Sequence, residues 1–297
     1  MKDIIFKGCG TAIVTPFSPD GTINYEEFRK LLEFQISEGA DSIIVCGTTG
    51  ESSVLTLEEK KELIKFSVDV VNHRIPVIAG TGSNCTAFTI ELCKYAQQVG
   101  VDGLLVVTPY YNKTTQLGII EHYTKIANSV SIPIILYNVP SRTGLNITPE
   151  TCFQLSKISN IVAIKEASGN ISQVAQIANL CGNNLNIYSG NDDQILPVLS
   201  IGGLGAISVL GNIFPKYTHM ITKYFFEKNI DSARLLQLQA LPFIQLLFCE
   251  VNPIPIKFAL ELNNFHVGLP RLPLVELSDS YKRKLKIEFE NFKKVNL

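Results

Sequence analysis

The sequence predicts an α/β protein, a (β/α)8 TIM barrel with a C-terminal helical appendage, and three observations carry that prediction. Eight short β-branched runs recur along the chain, each followed by helix-like sequence. Each run is largely apolar along its length and does not alternate, the pattern of a strand covered on both faces and hence of a parallel sheet. At 297 residues, 46% hydrophobic and 18% charged, the chain has the material for one barrel and a modest addition.

In order, the predicted strands are 11–15 (Thr-Ala-Ile-Val-Thr), 42–46, 76–80, 103–108, 133–137, 161–165 (Ile-Val-Ala-Ile-Lys), 185–189 and 205–209. Between them, 24–38, 56–72, 86–99 and 116–129 have amphipathic helical spacing. Thr56 with Glu59 forms a capping box, and Thr148-Pro149-Glu150 places proline at a first helical position. Eight such units in register favour a closed barrel over an open doubly wound sheet. After about Gly211 the strand signal stops, and helices are expected over 216–227, 232–248, 255–263 and 279–292. The division expected is a catalytic barrel over 1–228 and a helical domain over 229–297, with no flexible linker between them.

Charge and composition narrow the function. A formal charge of −1 and the lack of any basic cluster beyond 282–286 give no footprint for nucleic acid. No apolar run nears the roughly 20 residues of a membrane helix, and the N-terminus lacks the apolar core of a signal peptide, so a cytoplasmic protein is expected. Seven cysteines without a C-x-x-C pair fit reduced thiols. Cys46, beside a glycine-rich turn, is a weak candidate nucleophile with no histidine near it in sequence. The four histidines are isolated from one another, so no metal is expected. Gly80-Thr-Gly82 lacks the third glycine of a dinucleotide fingerprint, and the glycines of 202–205 precede the eighth strand and so belong to the opposite face. No cofactor is implied.

Barrel chemistry sits at the C-terminal ends of the strands. Those ends supply Gly47-Thr48-Thr49-Gly50-Glu51, Thr108-Pro-Tyr110-Tyr111-Asn112, Tyr137-Asn-Val-Pro-Ser-Arg142, Lys165-Glu166 and Ser189-Gly190-Asn191, with Ile207 and Ser208 on the last strand. The apolar approach to Lys165 would partly desolvate its amine, which disfavours the ammonium and favours the neutral nucleophile that attacks a carbonyl. Tyr137 and Tyr111 read alone as aromatic fillers; with a threonine they can form a hydroxyl chain that moves protons without carrying charge into a dry site. The glycines around Thr48 and Thr49 let consecutive N–H groups converge on a small carboxylate. Arg142 offers a planar fork to a second one.

These strand-end motifs, together with Asn252-Pro-Ile-Pro-Ile-Lys257 in the tail, resemble the signatures of the dihydrodipicolinate synthase family over nearly the whole chain. The resemblance implies a Schiff-base-forming class I lyase in which Lys165 forms an imine with pyruvate. The enamine would attack the aldehyde of aspartate 4-semialdehyde to give 4-hydroxy-tetrahydrodipicolinate, a precursor of diaminopimelate and lysine. It further implies that Tyr137 donates and accepts the proton, that Thr48 is its relay partner, and that Tyr111 completes the relay in a neighbouring subunit. Thr49, the Ile207 backbone and Gly190 match pyruvate contacts, and Arg142 matches the residue that steadies the semialdehyde carboxylate. A homotetramer, a dimer of dimers, is implied as well. The competing readings are a sister aldolase acting on N-acetylneuraminate or a keto-deoxy sugar, and a noncatalytic barrel that binds small acids. In lysine-inhibited relatives an Asn and a Tyr matching Asn84 and Tyr110 hold the inhibitor with an acidic side chain. Here Phe88 stands at the acidic position and Lys60 at one that is commonly histidine, so weak or absent lysine feedback is expected.

Overall fold

The computed structural model describes residues 2–296, and among them eight parallel strands close in sequence order, β1 pairing with both β2 and β8. The order is β1 (Gly8–Ala12), α1 (Tyr25–Ser37), β2 (Ser42–Val45), α2 (Leu57–Val71), β3 (Val77–Gly80), α3 (Thr86–Val99), β4 (Gly103–Val107) and α4 (Gln116–Ala127). It continues with β5 (Ile134–Asn138), the short α5 (Pro140–Thr143), α6 (Pro149–Leu155), β6 (Ile161–Glu166), α7 (Ile171–Cys181), β7 (Asn186–Ser189), α8 (Ile195–Ser200) and β8 (Gly205–Ser208). Then come α9 (Pro215–Phe226), α10 (Ile230–Leu247), α11 (Ile254–Leu262) and α12 (Asp279–Asn296).

The helices begin where short polar side chains can satisfy the first free N–H groups. Asn24, Thr115, Thr148, Asn170 and Asn229 each accept such a bond, and the Thr56–Glu59 capping box is present with both of its bonds. Pro149 stands in the first turn of α6, where its missing N–H costs nothing.

Strand alternation sorts the apolar residues into two cores. Ile44, Ile78, Leu105, Ile135, Tyr137, Ala163, Tyr188 and Ile207 fill the barrel interior, plugged by Phe6, whose ring stacks on Tyr188 at 4.4 Å. Ile43, Val45, Ala79, Leu104, Val106, Leu136 and Ile164 face the helices instead. One expected strand was misplaced. The first runs over Gly8–Ala12, three residues earlier than 11–15. Glycine is a poor strand former, so a propensity reading favours the β-branched residues that follow. The closure of the barrel needs the small residues: a Cβ on Gly205 would lie 1.7 Å from the Gly8 carbonyl oxygen.

The C-terminal helices pack on the barrel through an aromatic cluster. Phe214, just before α9, meets Phe243 of α10 at 5.4 Å and Phe292 of α12 at 4.8 Å between ring centroids. Truncating one such buried ring typically costs about 3–5 kcal/mol, so this contact is strong enough to hold α12 down. Among the described residues no helix is long and apolar enough to cross a membrane.

Candidate active site

Lys165 occupies the last inward position of β6. Its register partners are Tyr137 on β5 and Tyr188 on β7, both interior residues, so the pleat turns its side chain toward the barrel axis. The residue is 6% exposed, and its Nζ lies 4.4 Å from the centre of the Tyr137 ring. Among the described residues it pairs with no carboxylate. An amine so placed is shielded from water and touches an aromatic face, with no carboxylate in ion-pair contact.

The next residue, Glu166, is what fixes that strand end. Its carboxylate accepts from Asn138 Nδ2 at 2.8 Å, Gln173 Nε2 at 3.1 Å and the Ser168 N–H at 2.6 Å, a fully bonded network outside the barrel wall. Gly190, at the end of β7, is required by closeness: an added Cβ would stand 3.1 Å from Lys165 Cε and 2.6 Å from the Ala167 Cβ. Asp192 fixes the neighbouring strand end, since its Oδ2 accepts from the Val209 and Leu210 N–H groups at 3.0 and 2.9 Å. Burial pushes its carboxyl above the usual range, and those bonds and the charge of Lys165 oppose the rise. Ile207 lies buried on β8 opposite Gly10.

The turn over 47–50 closes the other side. Thr48 lines a small cavity with Gly47, Gly80, Gly82, Leu105, Val107 and Tyr137, so the structure brings two of the expected relay hydroxyls to one space. Thr49 is 2% exposed, and its Oγ1 accepts from Asn252 Nδ2 at 3.0 Å, which leaves the threonine proton free to donate elsewhere. Arg142, on α5 and exposed, donates to the Asn252 carbonyl at 3.2 Å. Asn252 thus joins Thr49 to Arg142 from the C-terminal region. Its number among the sequence motifs gave no hint of this, because the two partners lie 203 and 110 residues away in the chain.

Other candidates are not brought to the site. Tyr111 is 93% exposed, with left-handed backbone at φ 68°, and is not among the residues that line the cavity of Tyr137 and Thr48. Cys46 lines the cavity wall and is buried, and burial pushes its thiol up to about 12, which disfavours the thiolate and leaves it a small apolar filler. Among the described residues no three His, Cys, Asp or Glu gather as metal ligands. Phe88 is 64% exposed on α3, Lys60 is half-buried with its ammonium destabilised by desolvation, and the Asn84 carbonyl is bonded by Asn112 Nδ2 at 2.9 Å.

The sequence matches the family model described as the dihydrodipicolinate synthetase family over residues 5–291. It is 58% identical over 276 residues to 4-hydroxy-tetrahydrodipicolinate synthase of Clostridium perfringens strain SM101, covering 93% of this chain and 94% of that protein. The fold superposes with a TM-score of 0.95 on a chloride-inhibited dihydrodipicolinate synthase from Acinetobacter baumannii solved with pyruvate, at 40% identity, covering 98% of this chain and 99% of that one. It superposes equally, at 0.95, on the enzyme from Cyanidioschyzon merolae solved with lysine bound, at 38% identity and with coverage of 98% and 99%.

Proposed function

The chain belongs to the dihydrodipicolinate synthetase family, and on that premise we propose that Lys165 is the amine that captures pyruvate. The activity is that of a 4-hydroxy-tetrahydrodipicolinate synthase, a class I aldolase-type lyase that condenses pyruvate with aspartate 4-semialdehyde, and not that of a sugar-acid aldolase. The observation that supports the assignment of Lys165 is its position: a buried amine at a barrel strand end, against Tyr137, with no carboxylate partner. The neutral amine adds to the pyruvate C2 carbonyl, and the carbinolamine loses water to give the imine. Loss of a C3 proton gives the enamine, whose carbon attacks the semialdehyde carbonyl. The amino group of the adduct then attacks the imine carbon, closing the ring and releasing Lys165.

Each step moves a proton, and in this reading Tyr137 and Thr48, which line the same small cavity, carry it between neutral hydroxyls. In this reading Thr49, the Ile207 backbone and Gly190 surround pyruvate, and Arg142 receives the carboxylate of the second substrate at the mouth. Tyr111 belongs to the site of a second copy, so the working unit is at least a dimer and, by family likeness, a homotetramer in the cytoplasm. Incubation with pyruvate, borohydride reduction and mass spectrometry of peptides should find one stable adduct, on Lys165. An adduct on another lysine, or none, would remove the assignment.

Regulation follows from side chains outside the barrel. With Phe88 where an acid would stand and Lys60 adding a cation, the ammonium groups of free lysine would lose water without gaining a counter-charge. Calorimetric titration beside an activity assay should show neither submillimolar binding nor inhibition by lysine. Submillimolar binding with inhibition would show that another residue supplies the anion.

A further inference from the structure

The turn that carries Thr48 and Thr49 is gripped from behind by residues far along the chain. Glu51 follows the turn in left-handed backbone, φ 58°, a conformation that a residue of its size holds only when its surroundings impose it. Its N–H donates to the Thr48 carbonyl at 3.0 Å, and the Ser52 N–H donates to that of Gly47 at 3.3 Å, so any shift of Glu51 moves the turn. The Glu51 carboxylate meets Lys257 Nζ at 2.7 Å, with side-chain exposures of 0% and 2%. The same carboxylate accepts the Arg271 N–H at 2.9 Å. Lys257, on α11, also donates to the Leu269 carbonyl at 3.3 Å and lies 4.2 Å from the centre of the Phe17 ring.

A buried ion pair is a poor source of stability, because desolvation of both charges offsets their attraction, and an apolar pair of similar volume would serve as well or better. What the pair supplies is a single geometry. Removal from water makes the attraction strong and directional, and Glu51 lies two residues from Thr49 and three from Thr48. We propose that Glu51 and Lys257 are positioning residues for the pyruvate-binding turn, so that the C-terminal helices set the affinity of the barrel for its first substrate. This rests on the reading that the turn over 47–50 holds the pyruvate carboxylate.

Lys257→Met alone would strand a buried carboxylate, so the test uses the double variant Glu51→Gln/Lys257→Met, in which glutamine keeps an acceptor for the Arg271 N–H. In folded protein, checked by circular dichroism and thermal melting, KM for pyruvate should rise about tenfold, with trapping of the borohydride adduct slowed to match. KM for aspartate 4-semialdehyde should stay within about twofold. Ile177→Val, which lowers stability in α7 away from the turn, should leave both constants unchanged. Should the double variant not fold, Glu51→Asp, which keeps both charges but shortens the reach to Lys257 by one methylene, is read in the same way. Thr49→Val, run in parallel, separates the two layers of the argument. If Thr49→Val impairs pyruvate use and the pair variant does not, the positioning role is overturned and the site reading stands. If neither variant affects pyruvate, the turn does not hold it, and the proposal falls with that reading.

Discussion

At the scale of single residues, Tyr137 offers the cleanest separation of packing from chemistry. Its ring fills the barrel interior beside Lys165 and is 6% exposed, yet its hydroxyl has no hydrogen-bond partner among the described residues. Replacing it with phenylalanine therefore orphans no buried group and removes almost no volume, so the fold should be retained. Turnover should fall about 10²–10³-fold, because the proton relay loses a member. Steady-state kinetics beside a thermal melt measures both, and a near-normal kcat would mean that Tyr137 only packs. Lys165 and Tyr137 are legible in sequence because each bears the polar group that ends an apolar run, on the strand end where barrel chemistry sits. Asn252 is not, since a buried amide in a proline-rich stretch looks like any loop residue until Thr49 and Arg142 are seen on either side of it.

At the scale of elements, two histidines tie helices to their surroundings with opposite dependence on pH. His122 of α4 bonds Thr86 through Nδ1 at 2.9 Å, while its buried Nε2 has no partner, and burial lowers its pKa to about 4. Between that value and the ordinary histidine pKa of about 6.5, the unfolded chain binds a proton that the folded chain refuses. Stability is lost over this window as pH falls, and His122→Gln should remove that part of the loss. His219 of α9 is the reverse case. Its Nδ1 lies 2.9 Å from Asp41 Oδ2, and that bond raises its pKa against partial burial, with a smaller lowering by Lys223 and a smaller raising by Glu227. Its contribution is fully present below the ordinary histidine value and is lost as pH rises through the folded one. Melting curves from about pH 5 to pH 8 should show the His219→Gln deficit largest in acid and shrinking toward alkaline pH. The His122→Gln variant should gain on the parent as pH falls, and parallel curves for either variant would contradict its environment. Element ends were legible wherever a cap marked them, as at Thr56 and Thr148. The first strand was misread because its glycines answer a contact with β8 that no local propensity encodes.

At the scale of the whole molecule, the site proposed for one chain is incomplete. Tyr111 is 93% exposed and is not among the residues lining the cavity of Tyr137 and Thr48, so a relay that uses it calls for a second copy. Complementation tests this. Lys165→Ala and Tyr111→Phe should each be nearly inactive alone, whereas a mixed dimer carries one site with both residues intact. Co-refolding or co-expressing the two should restore about a quarter of parental activity per chain, the statistical expectation for random pairing in which half the dimers are mixed and each has one working site. Activity no greater than the sum of the separate variants would place Tyr111 outside the relay or confine it to its own chain.

The sequence by itself determined the barrel and the order of its strands, and it marked the strand ends on which the proposed chemistry rests, because periodic burial and strand-end polarity are local patterns that survive without coordinates. It also singled out Lys165, Tyr137 and the turn over 47–50. Only the tertiary structure decided what holds these groups in place. The grip of Asn252 on Thr49, the pairing of Lys257 with Glu51 and the closeness of Gly190 to Lys165 join positions that chain order leaves far apart. The physical reason is that a strand's pattern is written in its neighbours along the chain. A buried polar group finds its partner only when folding removes water and leaves one acceptor or donor within reach.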